Sequence, residues 1–397
     1  MQIPDSFKSI LEKNQGYNGI INITISQFES YIKNRQPEFF PDYTEHGIEH
    51  IESVLFATEW LMKDSINFMS DKDITVLILS VLLHDYGMFI TYEGFVTLLN
   101  SNNKVDHFDE KSWSQLWEEY KNEVRRWDDK RQKAVCGKKF DTTNITLDGD
   151  LKDSTKKVIG EFLRIYHPRL AHEIALFGFP GVEGNLIKFG SNLENELIDL
   201  AGLIARSHGL NLRDTFDYIN NRFFNLREPH SVKAIFLMVL LRIADYLQFT
   251  AERAPSSSFD IRKISSPYSR LQWSIHNSIK NISHNNHDPE LLQVIAFPET
   301  AYEYLELNKL FKGIQQELDH SWAVIGEVYG ENNELSKLKI KLRRIRSNIE
   351  EVGLNPIYNT YLRKLHSKVA QKSLNYLFNH CTVMTLPLVL ESCYRTH

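Results

Sequence analysis

The sequence predicts an all-α fold: a helical bundle with a charged helical insertion, then a mostly helical C-terminal region containing a small β-hairpin. Apolar residues recur at helical spacing through most of the chain. Two segments, residues 73–84 and 230–250, are strongly apolar, and the first is apolar almost all round, which is typical of a helix buried at the centre of a bundle. Only one region, after residue 270, has a strand-like pattern around the turn-like HNNHDP.

Composition limits the class of protein. The 397 residues are 42% hydrophobic, which is ample for one large domain and an accessory one. A formal net charge of −5 gives no general attraction to nucleic acid. The three cysteines are far apart, so neither a disulfide framework nor a thiolate zinc site is indicated. The N-terminus does not resemble a signal peptide, and the longest apolar run is about half a membrane span. We therefore expect a soluble cytoplasmic protein without a membrane partner.

The predicted main domain covers residues 1–255. Its first helices are expected over 46–63 and over 73–84, where Asp71 and Asp73 are good helix-start residues and Gly87 is a natural stop. Further helices are predicted at 155–175, 192–208 and 230–250.

Residues 101–155 are charged and turn-rich, which predicts an insertion within that domain. Its main element is an exposed helix from Glu110 to Lys133. The helix carries Trp113, Leu116, Tyr120 and Trp127. These side chains could stack on bases, but their helical spacing favours a packing stripe.

The predicted accessory region covers residues 256–397. After the strand pair, helices are expected over 301–328 and 333–350, and the tail is expected to be helical to about residue 377. The second helix contains KLKIKLRRIRS, whose basic face could bind an acidic protein partner or nucleic acid, or could simply face solvent.

Three of the predicted helices carry residues that can bind a metal ion. The first offers His50, the second the adjacent pair His84–Asp85, and the third Asp245. Ionisable groups next to long apolar runs are costly to bury unless they are paired or bound to a cation. Two imidazoles and two carboxylates suit a hard-to-borderline divalent ion, and helical bundles build metal sites from facing helices. The alternative is four unrelated residues near helix ends.

The order His50, His84–Asp85, Asp245 resembles the HD superfamily of metal-dependent phosphohydrolases, and HIESVL and LLHDYGM fit its local patterns. YTEHGIEHIESVL, LILSVLLHDYGM and LLRIADYLQFTAER look most like the HD-CE type of bacterial conflict proteins, which is often fused to a GHKL-type ATPase. No ATP-binding motif follows Glu350, so we expect a stand-alone relative or a partner activity on another polypeptide. The resemblance implies Mg, Mn, Fe, Co, Ni or Zn as the metal, with one or two ions per chain.

The resemblance also implies roles for further histidines. Several HD subfamilies have two extra histidines between the HD pair and the final Asp, and His167 and His208 match that order as ligands of a second ion. His167-Pro-Arg-Leu-Ala also resembles the motif that places a catalytic His in HD nucleotide triphosphohydrolases, so ligand and proton donor both remain open. Asp85 is implied as a catalytic residue as well as a ligand. His46 lies one turn before His50, and a catalytic or substrate-binding role and a solvated position are both open.

Candidate substrate-binding residues are His46, Arg169, Arg242 and His172, although an interior position suits His172 better. The resemblance implies a metal-dependent phosphohydrolase of nucleotides, with a deoxynucleoside triphosphate triphosphohydrolase preferred and a role in antiphage defence. Alternatives are a nucleotide monophosphate or cyclic-nucleotide phosphatase, a di-iron oxygenase, and a non-catalytic nucleotide-sensing module. A homo-oligomer is an expectation from the resemblance.

Overall fold

The predicted helical bundle with a small sheet is confirmed. The computed structural model describes residues 1–33, 35–41, 47–147, 151–180, 186–248, 266–285 and 287–351. The helices are α1 Asp5–Leu11, α2 Gln15–Ile32, α3 Ile48–Leu61, α4 Asp71–Leu83, α5 Tyr92–Asn100, α6 Trp113–Val124, α7 Asp129–Cys136, α8 Asp153–Phe177, α9 Asn195–Ser207, α10 Asp214–Phe223, α11 Ala234–Tyr246, α12 Pro267–Ser278, α13 Ala301–Tyr329 and α14 Asn348–Glu351. The strands are β1 Phe179–Pro180, β2 Leu186–Ile187, β3 Ile279–Asn285, β4 Asp288–Ala296 and β5 Arg344–Ser347.

Helices α4 and α11 form the centre of the bundle, as their apolar sequences predict. Every residue of α4 from Asp73 to Leu83 is buried, and α11 is buried from Ala234 to Ala244. Helix α4 packs against α1, α2, α3, α8 and α9, while α11 packs against α3, α4, α9 and α13. Because both helices end on the same side of the core, their C-terminal residues can meet there.

A buried carboxylate joins the starts of the two central helices. Asp73 accepts hydrogen bonds from the Ser70 amide and hydroxyl, both at 2.8 Å, which completes a capping box at the start of α4. It also accepts from the Lys233 amide at 2.8 Å and from the Lys233 ammonium at 3.1 Å, just before α11. Its side chain is fully buried, so these donors compensate the cost of desolvating the charge.

The predicted insertion is part of the packed core rather than an exposed helix. Instead of a single helix over 110–133, α6 ends at Val124 and α7 begins after Asp128, whose side chain accepts from the Arg131 amide and starts a new helix. The packing stripe is confirmed, because Trp113, Leu116, Tyr120 and Trp127 are buried. Trp113 and Tyr120 contact Phe162 of α8 with ring centres 6.1 and 5.4 Å apart.

The strand pair is confirmed and gains a third strand. β3 and β4 are antiparallel, β5 joins β4 in parallel, and the predicted strand residues LQWSIHNS belong to α12 instead. The predicted basic helix over 333–350 is wrong: Leu335–Lys337 is a 3₁₀ turn and 344–347 is a strand. Leu338, Ile340 and Leu342 are buried alternately, so the period is two and indicates extended chain. The partner of this basic segment stays a prediction.

Three further expectations concern regions at the limits of the described chain. Helix α13 bears out the helix predicted over 301–328. The domain boundary at 255 and the tail helix from 355 lie outside the described residues. Within the described part, no single helix is long and apolar enough to cross a membrane; only the segments Asp71–Phe89 and Tyr92–Asn100 taken together pass that test, and they are bent by 101°.

The buried carboxylate of Asp73 in the capping box of α4 is expected to contribute more to the free energy of unfolding than an exposed helix cap. Asp73→Ala leaves the Lys233 ammonium buried without this partner, so it should lower the free energy of unfolding by about 3 kcal/mol. Asp128→Ala removes only an exposed cap of α7 and should cost about 1 kcal/mol. Urea unfolding followed by circular dichroism measures both, and equal losses would contradict the bridging role of Asp73.

Candidate metal centre

Four predicted ligands converge where α3, α4 and α11 meet. His50 lies in the first turn of α3, His84 and Asp85 end α4, and Asp245 lies in the last turn of α11. The Nε2 atoms of His50 and His84 are 3.4 Å apart. Asp85 Oδ2 lies 3.4 and 3.3 Å from these two nitrogens, and Asp245 Oδ1 lies 3.6 and 3.8 Å from them. Ligand atoms about 2.1 Å from one ion have comparable separations.

A second group of three residues adjoins the first and shares Asp85 with it. Asp85 Oδ1 lies 3.4 Å from Nε2 of His167, on α8. Nε2 of His208, directly after α9, lies 2.7 Å from Nε2 of His167. The two oxygens of Asp85 therefore face different groups of histidines, and both groups have donor atoms close enough to hold a metal ion.

The backbone fixes which ring nitrogen faces the centre. Nδ1 of His84 donates to the Val81 carbonyl at 2.7 Å, and Nδ1 of His208 donates to the Ala205 carbonyl. Both carbonyls lie in the last turn of a helix, where carbonyls lack the usual amide partners. A carbonyl only accepts, so Nδ1 carries the proton and Nε2 of the neutral ring presents a lone pair, as a metal ligand requires.

The proline that follows His167 allows the same tautomer, with the proton on Nδ1. Pro168 has no amide hydrogen, so the helical hydrogen bond to the Arg164 carbonyl is absent. Nδ1 of His167 donates to that carbonyl at 2.8 Å. Nε2 of His167 and Nε2 of His208 are thus both acceptors when the rings are neutral, and at 2.7 Å apart a proton or a metal ion between them would relieve the repulsion of their lone pairs.

Two glycines allow α8 and α9 to bring these histidines together. A Cβ on Gly202 would lie 2.6 Å from the His172 ring, and one on Gly209 would lie 2.2 Å from Cγ of Pro168. Such distances are far below van der Waals contact. The approach of α9 to α8 near His167 and His208 therefore depends on glycine at both positions.

The electrostatics of the centre favour a cation. Burial disfavours the charged imidazole of His84, but Asp85 and Asp245 outweigh it and raise its pKa to about 9. Burial also opposes ionisation of Asp245, yet His84 and His50 hold its pKa below the ordinary value. Burial together with His167 and His84 lowers the pKa of His208 to about 3. The carboxylates of Asp85 and Asp245 thus stabilise positive charge beside them. His167 and His208, whose pKa values are lowered, stay neutral and able to bind a metal.

The donor set fits one or two divalent ions. His50, His84, Asp85 and Asp245 offer two nitrogens and two oxygens, and Asp85, His167 and His208 offer a further oxygen and two nitrogens. Mixed imidazole and carboxylate ligands suit Mn, Fe, Co, Ni or Zn better than Mg, which prefers oxygen. Asp245 is the most exposed ligand of the first group, with 29% of its side chain accessible.

The structure does not bring the predicted phosphate-binding arginines to the centre. Nε of Arg169 donates to Glu173 at 2.8 Å, and its Nη1 donates to the Lys111 carbonyl at 2.9 Å. Arg242 makes two hydrogen bonds to Glu317 and others to the Ser207 and Leu210 carbonyls. Both guanidinium groups are buried and hydrogen-bonded to protein, so these contacts do not favour the expectation that they bind substrate, which stays a prediction.

His172 is an interior residue, as its position on α8 favoured, and its role as a substrate contact stays a prediction. It is fully buried, and its Nε2 donates to Asp199 Oδ1 at 2.8 Å. Asp199 also accepts from the Tyr218 hydroxyl at 2.9 Å and from Arg222 Nε at 3.1 Å. This network ties α8, α9 and α10 together. His46 lies outside the described residues.

Sequence reasoning missed Asp109 and Asp199. Asp109 is buried between the arginines of α8 and α9, and Asp199 holds His172. The only sequence signal for Asp199 was its place on the apolar face of α9. Asp109, in the polar run DHFDEKS, gave no signal, because its partners lie 60 and 97 residues further along the chain.

The fold and the donor set together define a helical-bundle protein with an HD-type candidate metal centre. The sequence model of the HD-CE family matches residues 40–320, well over half of the chain, and the chain belongs to this family. The match includes every residue of both ligand groups and extends through β3 and β4 into α13. No curated protein and no solved structure matches the chain significantly.

The glycine contact between α8 and α9 generates a test of the second group. Gly209→Ala should force α9 away from Pro168 and separate His208 from His167, weakening the binding of a second Mn²⁺ about tenfold or more. Gly313→Ala is the control, because no atom lies within 4 Å of the added Cβ and alanine suits the interior of α13. Calorimetric titration with Mn²⁺ checks both, and an unchanged second binding event in Gly209→Ala would contradict the close-packing requirement.

Proposed function

We propose that this protein is a metal-dependent phosphohydrolase acting on nucleotides, with deoxynucleoside triphosphates as the preferred substrate class. One observation carries the proposal. The Nε2 atoms of four histidines converge on the two carboxylate oxygens of Asp85, and the carboxylate of Asp245 lies beside them. Membership of the HD-CE family supports the same chemistry.

The chain's own residues would hold two ions in adjacent positions. His50, His84, Asp85 and Asp245 would bind the first, and Asp85, His167 and His208 the second. A divalent ion bound there would lower the pKa of a water molecule and neutralise charge that builds on a phosphoryl oxygen. Asp85 would orient both positions relative to each other, because each of its oxygens faces one group.

His167 could be a metal ligand or a proton donor, and its hydrogen bond to the backbone suits only the first role. A proton donor needs a proton on the nitrogen that faces the substrate. The hydrogen bond from Nδ1 of His167 to the Arg164 carbonyl leaves Nε2 without that proton in the neutral ring. We therefore assign His167 as a ligand of the second position.

The choice of substrate rests on the resemblance of His167-Pro-Arg-Leu-Ala to the triphosphohydrolase motif. A role in antiphage defence rests on the resemblance to conflict proteins alone. A nucleotide monophosphate or cyclic-nucleotide phosphatase is the close alternative, because a two-ion centre serves either phosphate ester or anhydride bonds. With Arg169 and Arg242 engaged elsewhere, the ions themselves would be the main binding partners of the phosphates.

A substrate panel tests the reaction class. Purified protein with Mn²⁺, Co²⁺, Ni²⁺ or Mg²⁺ is incubated with each nucleoside mono-, di- and triphosphate and with cyclic nucleotides. We expect inorganic triphosphate and a deoxynucleoside as products, identified by ion chromatography. Orthophosphate alone would reject the triphosphohydrolase and favour the phosphatase, and no product from any substrate would reject the enzyme.

Removal of one ligand should abolish metal binding and turnover together. His50→Ala deletes an imidazole from the first group, and we expect a loss of turnover of at least about 100-fold with loss of the first ion. His320→Ala, on the exposed face of α13, is the matched control and should keep both. Metal content by mass spectrometry and product formation are measured on the same samples. Turnover that survives loss of the ion would contradict a metal-dependent reaction.

The second group of histidines also favours one other candidate, a di-iron oxygenase. A shared carboxylate together with imidazoles for each of two positions is a ligand set that also suits iron. Protein loaded anaerobically with Fe²⁺ should then consume oxygen with a candidate substrate and give a mixed-valent electron paramagnetic resonance signal. Phosphate release without oxygen consumption would favour the phosphohydrolase.

A further inference from the structure

The two histidines of the second group have matching neighbours. Arg169 follows His167 by two residues on α8, and Arg206 precedes His208 by two residues on α9. Both arginines are buried, and both reach the same carboxylate, that of Asp109. Asp109 lies in the loop between α5 and α6, within the segment predicted as an insertion.

The contact with Arg206 has two-point geometry. Nη2 of Arg206 donates to Asp109 Oδ1 at 2.7 Å and Nη1 donates to Oδ2 at 3.1 Å. A bidentate pair of this kind fixes the orientation of the guanidinium plane as well as its distance. The ring of Phe108 lies under that plane, 4.4 Å from the guanidinium carbon. The last turn of α9, from which His208 follows, is therefore tied to the loop by a rigid contact.

The contact with α8 completes the bridge. Nε of Arg169 lies 3.4 Å from Asp109 Oδ1 and donates to Glu173 Oε1 at 2.8 Å. Glu173 is also held by the indole of Trp113 at 2.6 Å, so the start of α6 contributes to the same network. The Val105 amide donates to Asp109 Oδ2 at 2.9 Å and holds the carboxylate in place.

This arrangement has a consequence for metal binding. Helices α8 and α9 hold His167 and His208 with their Nε2 atoms 2.7 Å apart, although the lone pairs of the two neutral rings repel each other. The side chain of Asp109 is only 2% exposed, so its pairs with the two arginines are strong and little screened by solvent. Replacing Asp109 with asparagine would leave the buried guanidinium of Arg206 without its carboxylate and would leave Arg169 paired with Glu173 alone. The charge pairs that join the two helix segments through Asp109 would then be lost.

We propose that Asp109 is a positioning residue for the second metal position, acting through Arg169 and Arg206 on His167 and His208. The proposal rests on the proposed two-ion centre but concerns metal binding, so it can be tested without a substrate. Asp109 contacts no ligand of the first group, and its loss should spare the first ion.

The test counts bound ions. Wild-type protein, Asp109→Asn and His208→Ala are loaded with Co²⁺, dialysed, and assayed by mass spectrometry and by the visible absorption of the bound ion. We expect two ions per chain in the wild type and one in both variants, with the affinity of the second ion lowered about 10- to 100-fold in Asp109→Asn. Asp109→Glu, which keeps the charge, should recover part of that affinity.

Asp73→Asn is the matched control, because it also weakens a buried carboxylate that joins two helices, but at the opposite end of α4 from His84. It should lose stability and keep both ions. If Asp109→Asn gives no folded protein, Arg206→Lys, which keeps the charge and loses the two-point contact, should show the same selective weakening.

Two ions bound by Asp109→Asn with wild-type affinity would overturn the proposal, and so would equal loss of both ions or a wild-type chain that binds only one. The proposed function fails separately: two ions bound by the wild type, with no nucleotide hydrolysed, would reject the hydrolase and leave the positioning role intact.

Discussion

The rest of this structure depends on the burial of the Asp85 carboxylate at the end of an almost wholly apolar helix. A carboxylate is costly to bury at that position unless it is paired or bound to a cation. Oδ2 faces His50 and His84, and Oδ1 faces His167. The start of α3, the ends of α4 and α11 and the part of α8 that carries His167 therefore meet at one point.

Backbone carbonyls that lack an amide partner orient three of the four histidine rings. His84 and His208 use carbonyls in the last turns of α4 and α9, and His167 uses the one that Pro168 leaves without an amide partner. The same hydrogen bonds that satisfy the backbone select the ring nitrogen that faces inward. A regular helix interior offers no such carbonyl: His84 and His208 directly follow the ends of α4 and α9, and His167 directly precedes Pro168 within α8.

Away from the metal ligands, buried carboxylates also join neighbouring helices. Asp73 joins α4 to α11, Asp199 joins α8 to α9 and α10, and Asp109 ties α8 and α9 to the loop before α6. Buried pairs of this kind add little net stability compared with apolar residues, but each has only one satisfied geometry. In this protein they fix the relative positions of the helices that carry the ligands.

The sequence by itself determined the helical class, the central helices and the first group of candidate ligands, because apolar periodicity is local and polar residues beside apolar runs stand out. It also ranked His167 and His208 as a further pair. Tertiary structure alone decided the contacts of Asp109, Arg169 and Arg242, since most of their partners are far away in sequence and only packing brings them together. It also decided that KLKIKL is extended: its strict alternation fits a strand, but backbone hydrogen bonds to Leu61 and Ser65 and the bond from the Trp322 indole to the Leu342 carbonyl were needed to choose between extended chain and amphipathic helix.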